Sequence, residues 1–305
     1  MTCSLNVASG RIDMDNFMRI YGLKFTSKFP IHGWIGLALL GVVWLCNWSL
    51  SGLRTHLLFF PLWLGYCLFI DGLVERRKGT SLLSRSWKKY VGLFLVSAPA
   101  WWLFELINLR TQNWHYLGRD SFSNLEYGLL ASLSFSTVIP AVFGTAELVS
   151  TFGWIKRAKP FLKVPSEKRQ MIWYFLAGWI MLALLLIWPR YFYTFVWLSV
   201  YFILDPINVW LNNRSLFDSA KSGDWRPVWS LWLGCLICGF FWEFWNFWSY
   251  PKWVYTTPFV QFAHIFEMPA IGYLGYVPFS MELFGLYHLV TRMRGGDYVH
   301  LVFGD

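Results

Sequence analysis

The chain has 305 residues, of which 56% are hydrophobic, 21% aromatic and only 14% charged, with a net charge of +9. Water-soluble domains carry roughly 25% charged residues, so this composition excludes a fold whose whole surface lies in water. The positive balance needs no nucleic-acid partner, because basic loops beside anionic membrane lipids account for it.

Residues 1–30 hold Arg11, Asp13, Asp15, Arg19 and Lys24 without a compact apolar stretch, and read as a cytoplasmic segment instead of a cleavable signal. Apolar runs follow at 32–50, 57–74, 90–108 and 127–150, and again at 172–189, 191–211, 229–248 and 263–290. Each is close to the ~20 residues that cross a bilayer, which predicts an all-α membrane protein of about eight transmembrane helices. The first four helices form one unit over 31–150, and the second four another over 172–290. A basic linker with Pro160 and Pro165 covers 151–171, and a tail covers 291–305. Of the 26 Lys and Arg, only Arg54, Arg110, Arg119, Arg190 and Lys252 fall on the side opposite both ends of the chain. The positive-inside rule then places both termini in the cytoplasm, as expected for a multi-pass protein of the bacterial inner membrane. Cys235 and Cys238 form C-x-x-C inside an apolar span, where small residues serve close helix approach better than redox chemistry.

The two halves read as parallel copies. WLGYCLFIDGLVERRKGTSLLS (63–84) aligns without a gap on WLSVYFILDPINVWLNNRSLFD (197–218), with Asp71 on Asp205. FELINLRTQNWHY (104–116) matches WEFWNFWSYPKWVY (242–255), each with Glu-x-x-Asn followed by Trp-x-Tyr. TAELV (145–149) matches SMELF (280–284), with Glu147 on Glu282. An even number of spans per half gives the halves the same orientation, unlike the inverted repeats of many transporters.

Ionisable groups inside spans cost about 2.5–3.5 kcal/mol each on insertion scales and usually face the interior for a purpose. Glu105 with Asn108, and Glu243 with Asn246, each share a helical face near the outer ends of spans three and seven. Asp71, Glu147, Asp205 and Glu282 fall toward the cytoplasmic ends, while His264 and Glu267 open span eight on the outer side. The pattern predicts two polar layers roughly 20 Å apart. The leading acid–base candidates are Glu105 and Glu243, then Asn108, Asn246, Glu147 and Glu282. Trp102, Trp114, Tyr116, Trp242, Trp253 and Tyr255 are the candidate substrate-binding rings, with Asp71, Asp205, His264 and Glu267 as secondary polar groups. Each has a plainer reading, as a solvated helix end, as interhelical glue or as an aromatic belt at the membrane surface. No structural-metal spacing of Cys and His and no nucleotide-binding glycine motif is present; clusters of Glu and His leave room for a metal, no metal ligand is assigned, and the cofactor stays open.

A carboxyl group in an apolar site favours its protonated form and can act as an acid. Aromatic faces around it can stabilise a developing cation. This helix-borne Glu with Trp-x-Tyr, followed by Pro and a later Glu, resembles the membrane-embedded lycopene cyclases of the heterodimeric and fused type. The resemblance implies proton-initiated cyclisation of a long polyene by two homologous halves. It maps Glu105 and Glu243 onto the early acidic position, Trp114-His115-Tyr116 and Trp253-Val254-Tyr255 onto the aromatic motif, and Glu147 and Glu282 onto the late acidic position. PAVFGTAEL (140–148) and PFSMEL (278–283) each carry one Glu where that family has Pro-x-Glu-Glu. The halves here also hold four spans instead of three. Three readings follow: an enzyme on an isoprenoid or other lipid, a proton- or ion-coupled transporter using the same carboxylates, and a structural membrane protein. Membrane lipids, and for the enzyme a hydrophobic small molecule, are the expected partners.

Overall fold

The computed structural model describes residues 28–53 and 55–292, so the expected N-terminal segment up to residue 27 and the tail beyond 292 lie outside the described residues. The longer helices are α1 (Ile31–Ser49), α2 (Thr55–Lys78), α3 (Trp87–Thr111), α4 (Asn124–Phe135), α5 (Val138–Ser150), α6 (Met171–Ile187), α7 (Val196–Leu211), α8 (Arg226–Phe247) and α9 (Tyr276–Thr291). Among the described residues, six helices are long and apolar enough to cross a membrane, counting α4 with α5 as one and α7 from Pro189. α6 is apolar but shorter. Large side chains such as Leu45, Leu95, Leu106 and Trp173 stand exposed on the outside, as a lipid-facing surface requires.

Local chemistry sets the helix ends. Ser86 caps α3 by accepting from the Lys89 amide, and Ser123 with Glu126 forms a capping box at the start of α4. The expected 127–150 span is interrupted between α4 and α5, where Pro140 has no amide hydrogen for the Ser136 carbonyl. Ser97 of α3 fills the gap: its hydroxyl donates to the Phe135 carbonyl at 2.6 Å and accepts from the Ile139 amide at 3.0 Å. A side chain inserted into the helix ladder is a recognised cause of such a break.

The expected span 263–290 is corrected. Its first part is a tight hairpin, β3 (His264–Ile265) against β4 (Met268–Pro269), followed by a 3-10 turn over Ala270–Gly275 before α9 begins. Pro269 disfavours helical geometry at Met268, and Phe259, Ala263 and Phe266 all take positive φ. His264 and Glu267 therefore sit on a folded-back loop and do not open a helix. Pro278 falls in the first turn of α9, where a missing amide is harmless.

α1 packs on α2 through glycines. A Cβ at Gly36 would meet the Phe69 amide nitrogen at 2.4 Å, and one at Gly72 would meet the Gly33 Cα at 2.6 Å. α5 and α8 approach in the same way at Gly234, beside the Ala146 backbone, which joins the two halves of the chain. Cys235 and Cys238 lie buried in that region, and the Cys238 thiol donates to Thr145 at 3.4 Å. The core around them is aromatic, with Trp63, Phe104, Phe143, Phe279 and Phe284 fully buried. On the side holding the C-terminal ends of α3 and α8, β1 (Trp114–Leu117) and β2 (Lys252–Tyr255) form an antiparallel pair. The register sets Trp114 against Tyr255 and Tyr116 against Trp253.

Candidate functional site

The site grows from the ends of α3 and α8. Gln112 takes a left-handed conformation at the end of α3 and turns the chain back. Asn108 then receives it: its amide group donates to the Trp114 carbonyl at 2.8 Å, and its oxygen accepts from the Asn113 amide at 2.8 Å. Asn246 treats β2 alike, donating to the Trp253 carbonyl at 2.8 Å and accepting from the Trp253 amide at 3.0 Å. Each Asn thus offers the donor and acceptor of a neighbouring strand's peptide group, which suits a carboxamide. Both atoms of each side chain are spent on holding the aromatic strand.

Held this way, the strands aim their rings at the acids one helical turn back. Glu105 Oε1 accepts from Tyr116 Oη at 2.5 Å, Trp101 Nε1 at 2.8 Å and Trp114 Nε1 at 3.0 Å. Glu243 Oε1 accepts from Tyr255 Oη at 2.6 Å, Tyr276 Oη at 2.9 Å and Trp253 Nε1 at 3.3 Å. Three donors converge on one oxygen in each case. Glu243 is fully buried and its Oε2 has no hydrogen-bond partner among the described residues, whereas Glu105 is half-buried.

Between the two acids lies a cavity of about 190 Å³, lined mainly by rings: Trp101, Trp114 and Tyr116 from one half, Trp242, Trp253 and Tyr255 from the other. Tyr276 and Trp197 complete the aromatic wall, and Tyr127, Leu130, Ala131 and Ser134 of α4 close one flank. Arg119 and Lys252 also contribute to the lining. Glu105 and Glu243 stand behind the wall, so their phenol and indole partners separate them from the space. Burial, reinforced by the neighbouring carboxylate, pushes the Tyr116 and Tyr255 hydroxyls well above the ordinary tyrosine range and keeps them protonated donors.

The other expected residues are placed elsewhere. Trp102 donates to Ser132 at 2.9 Å and packs α3 on α4 without lining the cavity. Glu147 is fully buried and pairs with Lys78 at 3.0 Å and Arg85 at 2.8 Å. Asp205 accepts from the Ser215 hydroxyl at 2.7 Å. Both oxygens of Glu282 are buried without a side-chain hydrogen-bond partner among the described residues. Asp71 accepts from the Leu83 amide at 3.2 Å. His264 is exposed beside Gln261, and Glu267 pairs with Lys252. None of Asp71, Glu147, Asp205 and Glu282 lines the cavity.

Sequence reasoning missed Trp101, Trp197 and Tyr276. Trp101 was within reach, since it stands four residues before Glu105 on the same helical face. Tyr276 and Trp197 carry no local signal and arrive through long-range packing. No protein-family model matches the chain, and no match to it is found among curated proteins or solved structures.

Proposed function

We propose that this chain is an intramembrane acid–base enzyme that acts on an unsaturated isoprenoid or a comparable apolar lipid. The observation that carries the reading is the aromatic cavity flanked by two carboxylate–phenol pairs, Glu105 with Tyr116 and Glu243 with Tyr255. We infer further that the halves are a parallel tandem repeat with both termini in the cytoplasm. The matched bonding of Asn108 and Asn246, and of the two Trp-x-Tyr segments, supports the repeat.

In this scheme the phenol hydroxyl of one pair turns from the carboxyl oxygen to the substrate, and the glutamate, in its acid form, passes a proton through that tyrosine oxygen to one carbon of a substrate double bond. The phenol gives up its own proton and takes the glutamate's, so it ends unchanged. The electron-rich ring faces stabilise the resulting carbocation. A second double bond then attacks to close a ring and carries the positive charge to a new carbon, or the charge stays where it formed. In either case a carbon next to the cationic centre loses a proton, through the other tyrosine oxygen, to the other carboxylate, and a double bond forms there. Asn108 and Asn246 act as positioning residues. Arg119 in the lining suits the same cavity to a lipid with an acidic head group, while Lys252 is already paired with Glu267.

A structural reading has its own observation: three donors already satisfy one oxygen of each acid, and the β1–β2 pair ties the halves together. One experiment separates the two. Lipids and pigments are extracted from polyene-producing hosts that express the wild type or the Glu105→Gln/Glu243→Gln variant at matched membrane levels. A species formed only with the wild type supports the enzyme and identifies its substrate. Identical profiles across such hosts overturn the enzyme and leave the structural and transporter readings, which ion flux in reconstituted vesicles then separates.

A further inference from the structure

We propose a divalent metal site where the first turn of α1 meets the second half of α2, with His32, Asp71 and Glu75 as ligands. It lies apart from the aromatic cavity, and none of its residues lines that space.

The backbone creates the site. Gly33 and Gly72 are in such close contact that neither has room for a side chain. Their chain neighbours, His32 and Asp71, are thereby brought together. Glu75 follows Asp71 by one helical turn and shares its face. Ligand atoms of all three residues lie within 4.8 Å of one another.

Atomic detail points to a cation between them. The Asp71 side chain is only 2% exposed. Its Oδ1 is fixed by the Leu83 amide, which leaves Oδ2 turned toward His32. Nε2 of His32 lies 3.0 Å from that oxygen in an ion-pair contact, but poorly aligned, so that neither atom makes a well-directed hydrogen bond among the described residues. That poor alignment leaves room for an ion shared by both atoms, and a plain imidazolium–carboxylate pair is the alternative that the test below separates from it. Nε2 lies 4.0 Å from Glu75 Oε2, which also accepts from the Ser81 hydroxyl at 3.2 Å. Metal–ligand bonds of about 2.0–2.2 Å place neighbouring ligand atoms roughly 3–3.5 Å apart, so the observed spacings close on an ion with small side-chain shifts. The amide on Asp71 and the hydroxyl on Glu75 are the outer hydrogen bonds that ligating carboxylates usually carry.

One imidazole and two carboxylates suit a borderline ion such as Zn²⁺ or Mn²⁺ better than Ca²⁺, which takes six or more oxygens. Bound there, the ion clamps α1 to α2. The second half of the chain lacks the set. The Ser215 hydroxyl occupies Oδ2 of Asp205, and the residue one turn on is Val209.

The test uses the full chain purified in detergent, stripped with a chelator and returned to Zn²⁺ or Mn²⁺. Metal content after dialysis and the thermal unfolding midpoint are both read. The wild type is expected to retain stoichiometric metal and to unfold several degrees higher with it. Asp71→Asn and His32→Gln should each lose at least about 100-fold in affinity, the upper end of what outer-shell changes alone cost. His264→Gln, altered in an exposed ring, should bind as the wild type does. His32 is partly exposed, so its variant keeps the test open where Asp71→Asn fails to fold. A wild type that neither binds nor is stabilised, or a His32→Gln variant that binds as tightly as the wild type, overturns the site and leaves an ion pair.

Discussion

Tyr116 and Tyr255 lie on paired antiparallel strands, and each directs its hydroxyl to the acid of its own half, Glu105 at 2.5 Å and Glu243 at 2.6 Å. One small ladder therefore sets both carboxylate–phenol pairs beside a common space. The register sets Tyr116 opposite Trp253 and Trp114 opposite Tyr255, so a disturbance on one strand is expected to reach the other pair and the two sites to behave as a unit.

Removing either phenol oxygen tests that unit. Tyr116→Phe and Tyr255→Phe each withdraw one donor from a buried acceptor, and each should cost about 1–3 kcal/mol. Because the sites share the ladder, the double variant should depart from the sum of the singles. Thermal or denaturant unfolding in detergent, followed by tryptophan fluorescence, measures all three.

The same phenols give a pH dependence. Their raised folded-state values mean that the folded chain holds these protons longer than the unfolded chain. The stability they contribute is complete below the ordinary tyrosine value of about 10 and declines as the pH climbs from there toward the folded values. Each phenol adds a slope of up to about 1.4 kcal/mol per pH unit in that window. Unfolding curves at rising alkaline pH should fall more steeply for the wild type than for the Tyr116→Phe/Tyr255→Phe variant.

Close helix approach makes a sharper structural prediction. Gly36→Ala and Gly65→Ala would set a methyl group 2.4 and 2.7 Å from backbone nitrogen atoms of the facing helix, so α1 must move off α2. The Gly41 position has nothing within 4 Å and serves as the control. The first two variants should lose about 1–3 kcal/mol, as overpacking does, while Gly41→Ala leaves the unfolding midpoint unchanged or slightly raised.

Buried Glu147 anchors the partly exposed Lys78 and Arg85. Glu147→Gln leaves two cations beside a neutral amide and should cost about 3–5 kcal/mol, the usual penalty for breaking a buried pair from one side. Protease susceptibility of the loop at 79–86 in membranes reports the loss, and the Lys78→Met/Glu147→Leu variant should recover part of it.

The sequence by itself determined the membrane class and the long apolar helices, because apolar length and charge scarcity are local properties of the chain. It also showed Glu105 with Asn108 and Glu243 with Asn246 on common helical faces, since a spacing of three is decided by helix geometry alone. Tertiary structure decided the rest. Ser97 breaks the fourth span by reaching across from α3, and Pro269 with three residues at positive φ folds 259–269 into a loop where apolar composition suggested a helix. Tyr276 joins Glu243 from 33 residues away, and His32 meets Asp71 only because two glycines let their helices touch. Pairings of that kind depend on distances between elements, and no periodicity within an element records them.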